Sequence, residues 1–301
     1  MRLLAFCGRS RQRRQGLLWR AKPLLVVLAL FVAGCDGGAL ATNSSAGNAS
    51  SSVAGGVDAP CEAPVGHSLS DIASVVDWIN AMPKPLSLAC FVKSIPRPVY
   101  YNATLSSFSA QPSIGKRSPR VFFMIDKLIL TMVPDEKSDT VKDPLTGKNL
   151  KDPETGLDVK VWDADGSQLL ELSFEVETDL EAPQSIKGEL KFPITDTLPR
   201  NAPYVKINFD DDNDLSICAF CHDTEVEVTV LDGQPVYRSE MLRNRRDTEV
   251  PLGFMLNEYA ACDPERGENE WYRCEMLDAI YGQGTLVWLS FPESMPTIFD
   301  L

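Results

Sequence analysis

Histidine is nearly absent. The 301-residue chain holds only His67 and His222, which excludes a metal centre built on several imidazoles. The nucleophile-elbow pattern G-x-S-x-G does not occur, so Ser-His-Asp hydrolysis has no placed nucleophile. The N-terminal apolar run from Pro23 to Val32 is ten residues, about half of what a bilayer-spanning helix needs. Basic residues are scarce beyond the N-terminus. Residues 1–34 carry seven (Arg2, Arg9, Arg11, Arg13, Arg14, Arg20 and Lys22) and no acidic residue, so the other 267 bear a formal charge of −20 within a whole-chain −13. Such a surface repels a phosphate backbone, and no nucleic-acid partner is expected. At 44% hydrophobic and 24% charged the composition is that of a soluble globular protein. The length allows one large domain or two small ones with a real core.

The basic start, the short apolar run and the small residues that end it have the three-part layout of a secretory signal peptide. Val32-Ala33-Gly34-Cys35 resembles the lipobox of bacterial lipoproteins. That resemblance implies cleavage after residue 34, lipidation of Cys35, and attachment to a membrane through several acyl chains. It places the protein in the bacterial cell envelope, lipid-anchored and facing the periplasm. Residues 35–60 are Gly, Ala, Ser, Asn and Thr with hardly an apolar side chain, and they read as a flexible tether.

Eight cysteines also suit an oxidising compartment. Setting aside Cys7 in the signal and Cys35 at the anchor, the other six fall into three local couples, of which Cys61 with Cys90 and Cys262 with Cys274 are the disulfide candidates. Cys61 and Cys90 flank residues 68–80, where Ile72, Val75, Val76 and Ile79 recur at helical spacing behind a serine cap. A bridge there would tie that helix to a following strand. Cys262 and Cys274 likewise join two patterns read as helical, 252–261 and 272–281. Between them the chain reads as β: strands over 121–133, 157–162, 169–177, 185–192, 204–209 and 225–231, with a hairpin turn at 163–166. The expected fold is mainly β, an antiparallel sandwich or barrel, with an N-terminal helix and a small C-terminal helical segment, α+β overall. The expected organisation is signal 1–34, tether 35–60, helix plus β domain 61–232, and C-terminal helical segment 233–301.

The sharpest chemical feature is Cys218-Ala219-Phe220-Cys221-His222. C-x-x-C-H resembles the haem-attachment sequence of c-type cytochromes. The resemblance implies thioethers at Cys218 and Cys221, His222 as the ligand to iron, and haem c as the cofactor. It marks no sixth ligand, and Met241, Met255 and Met276 are the methionines that follow. Two further readings of the motif stand beside it: a local disulfide with a bystander histidine, and a redox-active dithiol. The acidic run Asp210–Asp214 alternates carboxylates but has Leu215 where a calcium loop needs glycine and Cys221 where it needs glutamate, so it reads as a solvated turn. The functional expectation is therefore an electron carrier or redox sensor rather than a hydrolase. The other expectation is a disulfide-stapled binding or scaffold lipoprotein with an acidic surface. The expected partners are the membrane and either a redox partner or a basic protein. Labelled palmitate should be incorporated into the chain and lost in Cys35→Ala; incorporation that survives the substitution overturns the anchor.

Overall fold

The computed structural model describes residues 61–105, 115–134, 138–140, 160–162, 169–208, 215–222, 225–266 and 268–300. The signal, Cys35 and its tether, the 163–166 turn and the acidic run 210–214 lie outside them. Among the described residues no helix is long and apolar enough to cross a membrane.

Helix α1 (Ile72–Ala81) begins at Asp71, whose carboxylate accepts from the Ser74 amide at 2.7 Å. In return the Asp71 amide donates to Ser74 Oγ at 2.9 Å, a reciprocal cap built on an aspartate instead of the expected serine. Ile72, Val75, Val76 and Ile79 are all buried, as their spacing requires. Cys90 lies on a second short helix, α2 (Leu88–Ser94), not on a strand; Ser87 caps it. The Cys61–Cys90 and Cys262–Cys274 disulfides both form, with Cα atoms 5.0 and 5.6 Å apart.

Among the described residues ten strands lie in two sheets. They are β1 (Val99–Thr104), β2 (Arg120–Ile125), β3 (Leu128–Met132), β4 (Ser138–Thr140), β5 (Lys160–Trp162), β6 (Leu169–Val176), β7 (Gln184–Lys191), β8 (Val226–Leu231), β9 (Gln234–Glu240) and β10 (Leu286–Trp288). The main sheet runs β10-β1-β2-β3-β6-β7-β9-β8 and is antiparallel except where β10 joins β1. The fold is α+β and mainly β, with a mixed eight-stranded sheet and several helices.

The run read as one strand over 121–133 is a hairpin. Ile125 pairs with Leu128 across Asp126-Lys127, and Asp126 takes the left-handed conformation at φ 53° that aspartate tolerates. β5 pairs with β4 instead of β6, which pairs with β3 and β7. Residues 204–209, expected as strand, begin in a helical turn, α3 (Ala202–Val205), because Pro203 presets φ and carries no N–H for a ladder. Gly188 of β7 makes room for α3: a Cβ there would sit 2.9 Å from Pro203 Cβ. Beyond residue 233 stand the two expected helices, α4 (Leu252–Ala260) and α5 (Glu268–Tyr281). The same stretch also contributes β9 and β10 to the sheet.

Strand alternation gives the main sheet two different faces. Val121, Phe123, Leu130 and Leu172 pack with Val75, Ile79, Phe91 and Ile280 in the large core. Arg97 lies over the Phe123 ring, 4.7 Å from its centroid, and donates to the Ile95 and Ala279 carbonyls. The other face carries a small cluster of Phe122, Met124, Met241, Phe291 and Met295 with Ile129 packed on it, beside the polar Thr131, Glu171, Ser173, Lys187 and Glu189. Phe123→Ala should cost about 3–5 kcal/mol in denaturant unfolding. A loss under about 1 kcal/mol would mean that the helix-packed face is not the main core.

Candidate functional site

The polar face of the sheet closes over a cavity of about 310 Å³, partly open to solvent. Its floor is Thr131 of β3, Glu171 and Ser173 of β6, and Lys187 and Glu189 of β7. One wall is the turn that carries Cys218, Cys221 and His222; another comes from the C-terminal strap, including Phe291 and Met295.

The turn is built locally. Ser216 Oγ accepts from the Cys218 amide at 3.1 Å, and residues Ile217–Phe220 form one tight helical turn. The amides of Cys221 and His222 both donate to the Cys218 carbonyl, at 3.1 and 2.9 Å, so the five residues fold into a single coil. Glu225 clamps its start by accepting from the Ser216 amide and, at 2.8 Å, from the Ser216 hydroxyl. The Ile217 amide donates to the Ile207 carbonyl at 2.8 Å, tying the coil to the end of the α3 turn. Both thiols and the imidazole line the same cavity, while Phe220 between them is 76% exposed. Cys218 and Cys221 lie outside the two disulfides.

His222 is anchored through one nitrogen. Its Nδ1 lies 2.7 Å from the Glu240 carbonyl, which only accepts, so Nδ1 carries the proton and Nε2 keeps its lone pair. Burial, reinforced by the Lys187 and Arg120 charges, lowers its pKa to about 3. The ring is therefore a neutral, single-tautomer base at physiological pH, the state a metal-binding imidazole requires. Burial also pushes the Cys218 thiol up to about 11. A thiol held protonated is a poor nucleophile, which weighs against the redox-active dithiol reading.

The structure separates the methionines. Met241 lines the cavity, whereas Met255 and Met276 are buried in the helix-side core. Met295, which the sequence did not single out, lines the cavity as well. His67 is exposed near the start of the described chain. Sequence reading also passed over Lys187, Arg120 with its ion pair to Glu171, and the Glu240 carbonyl. The spacing Ser185, Lys187, Glu189 was visible as a shared strand face, but alternation alone cannot tell a solvent face from a cavity floor.

Among the described residues no three His, Cys, Asp or Glu side chains are grouped to hold a metal ion. Haem asks less of the chain, because the thiols bond porphyrin carbons and one imidazole reaches the iron. Comparison with known proteins finds no matching family model, curated protein or solved structure.

In the ligand-free chain, the unfolded state takes up a proton at His222 near pH 6.5 that the folded state refuses until about pH 3. Stability from this group is therefore complete above about pH 6.5 and is lost as the pH falls toward 3. His222→Gln should lose less stability than wild type between pH 7 and 4.5 in denaturant titrations. Equal losses would show that the ring is not held neutral.

Proposed function

We propose that this chain is an envelope lipoprotein, anchored through acyl chains on Cys35, that holds one c-type haem at Cys218, Cys221 and His222. One observation carries the reading. Two thiols outside the disulfides and one neutral imidazole, its Nδ1 locked by a backbone carbonyl, converge on a single cavity. Attachment would add each S–H across a vinyl C=C, forming one C–S and one C–H bond with no net oxidation. The bound group supplies one-electron redox chemistry, suited to carrying or sensing electrons at the membrane surface.

The chain's own residues account for the rest. The coil from Ser216 to His222 sets the two sulfurs and the imidazole on one side of the cavity. The Glu240 carbonyl fixes the ring's rotation and tautomer and raises the basicity of Nε2. Met241 and Met295 line the same cavity, and either thioether could reach a haem held there. The strongly acidic exterior suits a redox partner or another protein with a basic docking face.

One observation favours a second reading. A cavity of about 310 Å³ is roughly twice the one that accommodates benzene. A porphyrin is larger, so the open side must form part of the fit. The second reading is a haem-free binding or scaffold lipoprotein with the same acidic surface. The visible spectrum separates them. Expressed with a cytochrome c maturation system, the protein should show a reduced c-type α band and stain for haem on a denaturing gel. Cys218→Ser/Cys221→Ser should abolish the stain. A colourless wild-type protein overturns the haem reading.

A further inference from the structure

The haem reading leaves the cavity's cations without a role. Among the described residues four basic side chains line it: Arg120, Lys187, Arg243 and Arg245. Two are already neutralised, Arg120 by Glu171 and Arg245 by Asp247. The cavity's other acid, Glu189, is held by Lys206 at 2.8 Å. Lys187 and Arg243 remain, with no ion pair among the described residues.

Lys187 is partly buried and, among the described residues, donates only to the Ser185 hydroxyl. The carboxylates whose charge reaches it, Glu171 and Glu225, are committed to Arg120 and to Ser216. On the strap, among the described residues, the Arg243 side chain makes one long donation of 3.4 Å to the Asn244 carbonyl, and its buried Nε has no hydrogen-bond partner there. Asp300 of the same strap is taken up by the Thr297 amide and hydroxyl at 2.7 and 2.8 Å. Beside the polar floor the lining also carries apolar side chains, among them Phe122, Ile129, Ile207, Ile217, Phe291 and Met295. A partly buried ammonium whose neighbouring described carboxylates are engaged elsewhere carries a desolvation cost, which an incoming carboxylate relieves.

We infer that this cavity binds an apolar body bearing a carboxylate, with the carboxylate at Lys187 and Arg243 as a second anionic contact toward the strap. The inference rests on the cavity and stands with or without haem. The acid has two sources, the carboxylates of a porphyrin or a free aromatic or aliphatic acid. Burial lowers Lys187 to about 8, so it is charged at neutral pH.

The test compares naphthalene-2-carboxylate with the neutral naphthalene-2-carboxamide by calorimetry at pH 7, on the full lipidated chain in nanodiscs. Cys218→Ser/Cys221→Ser supplies the haem-free form. There the carboxylate should bind about tenfold or more tightly than the amide. Lys187→Met should remove that preference while leaving amide affinity within about twofold, which also reports an intact site. Arg243→Gln should reduce the preference partially. Equal affinity of the two probes, no binding of either, or a preference that survives Lys187→Met overturns the inference. Exclusion of the carboxylate from haem-loaded wild type assigns the site to porphyrin carboxylates, and retained binding assigns it to a free acid. If wild type never acquires haem, the haem reading fails alone and the probe comparison still decides this one.

Discussion

The two-faced main sheet is the constraint on which everything else hangs. Register across β2, β3, β6 and β7 aligns Phe123, Leu130, Leu172 and Gly188 on one side, and Phe122, Thr131, Glu171 and Glu189 on the other. A slip of one residue in β6 or β7 would drive Glu171 or Lys187 into the helix-packed core. The helices α1, α2 and α5 seal the apolar side with fully buried Val75, Phe91 and Ile280. The polar side is only partly covered, and the space left there is the cavity.

Partial enclosure gives the site its chemical character. A solvated face would leave His222 able to charge near neutral pH and Cys218 able to ionise under mild base. Here desolvation works against the charged form of both, so the imidazole stays neutral and the thiol protonated. The same effect pulls Lys187 down toward neutral pH. Among the described residues Arg120 is matched by Glu171, and Glu189 by Lys206. The backbone joins in, because the Glu240 carbonyl at the end of β9 chooses the tautomer of a ring eighteen residues earlier.

Much of the frame could be read along the chain. Helical periodicity found α1, α4 and α5, and local cysteine couples anticipated both disulfides. The errors share a cause. Asp126-Lys127 was invisible as a turn because it lacks glycine and sits inside an unbroken run of strand formers, so only the positive φ at Asp126 reveals it. Pro203 was a local signal for α3 that the surrounding apolar residues masked. β10 has three residues, too few for any pattern, and exists because β1 offers it an edge.

Local chemistry reached as far as the motif. C-x-x-C-H, a capping serine and the spacing of apolar residues are short-range properties, and they carried the fold class, the cysteine pairing and the suspicion of a cofactor. Which residues surround that motif is a long-range matter. Lys187 stands more than thirty residues before His222, and Met295 more than seventy after it, yet they share one cavity. That meeting depends on strand order and on the path of the C-terminal strap, both set by non-local burial. Desolvation, which decides the protonation of His222, Cys218 and Lys187, depends on everything packed around a group and so has no signature in a run of neighbouring residues.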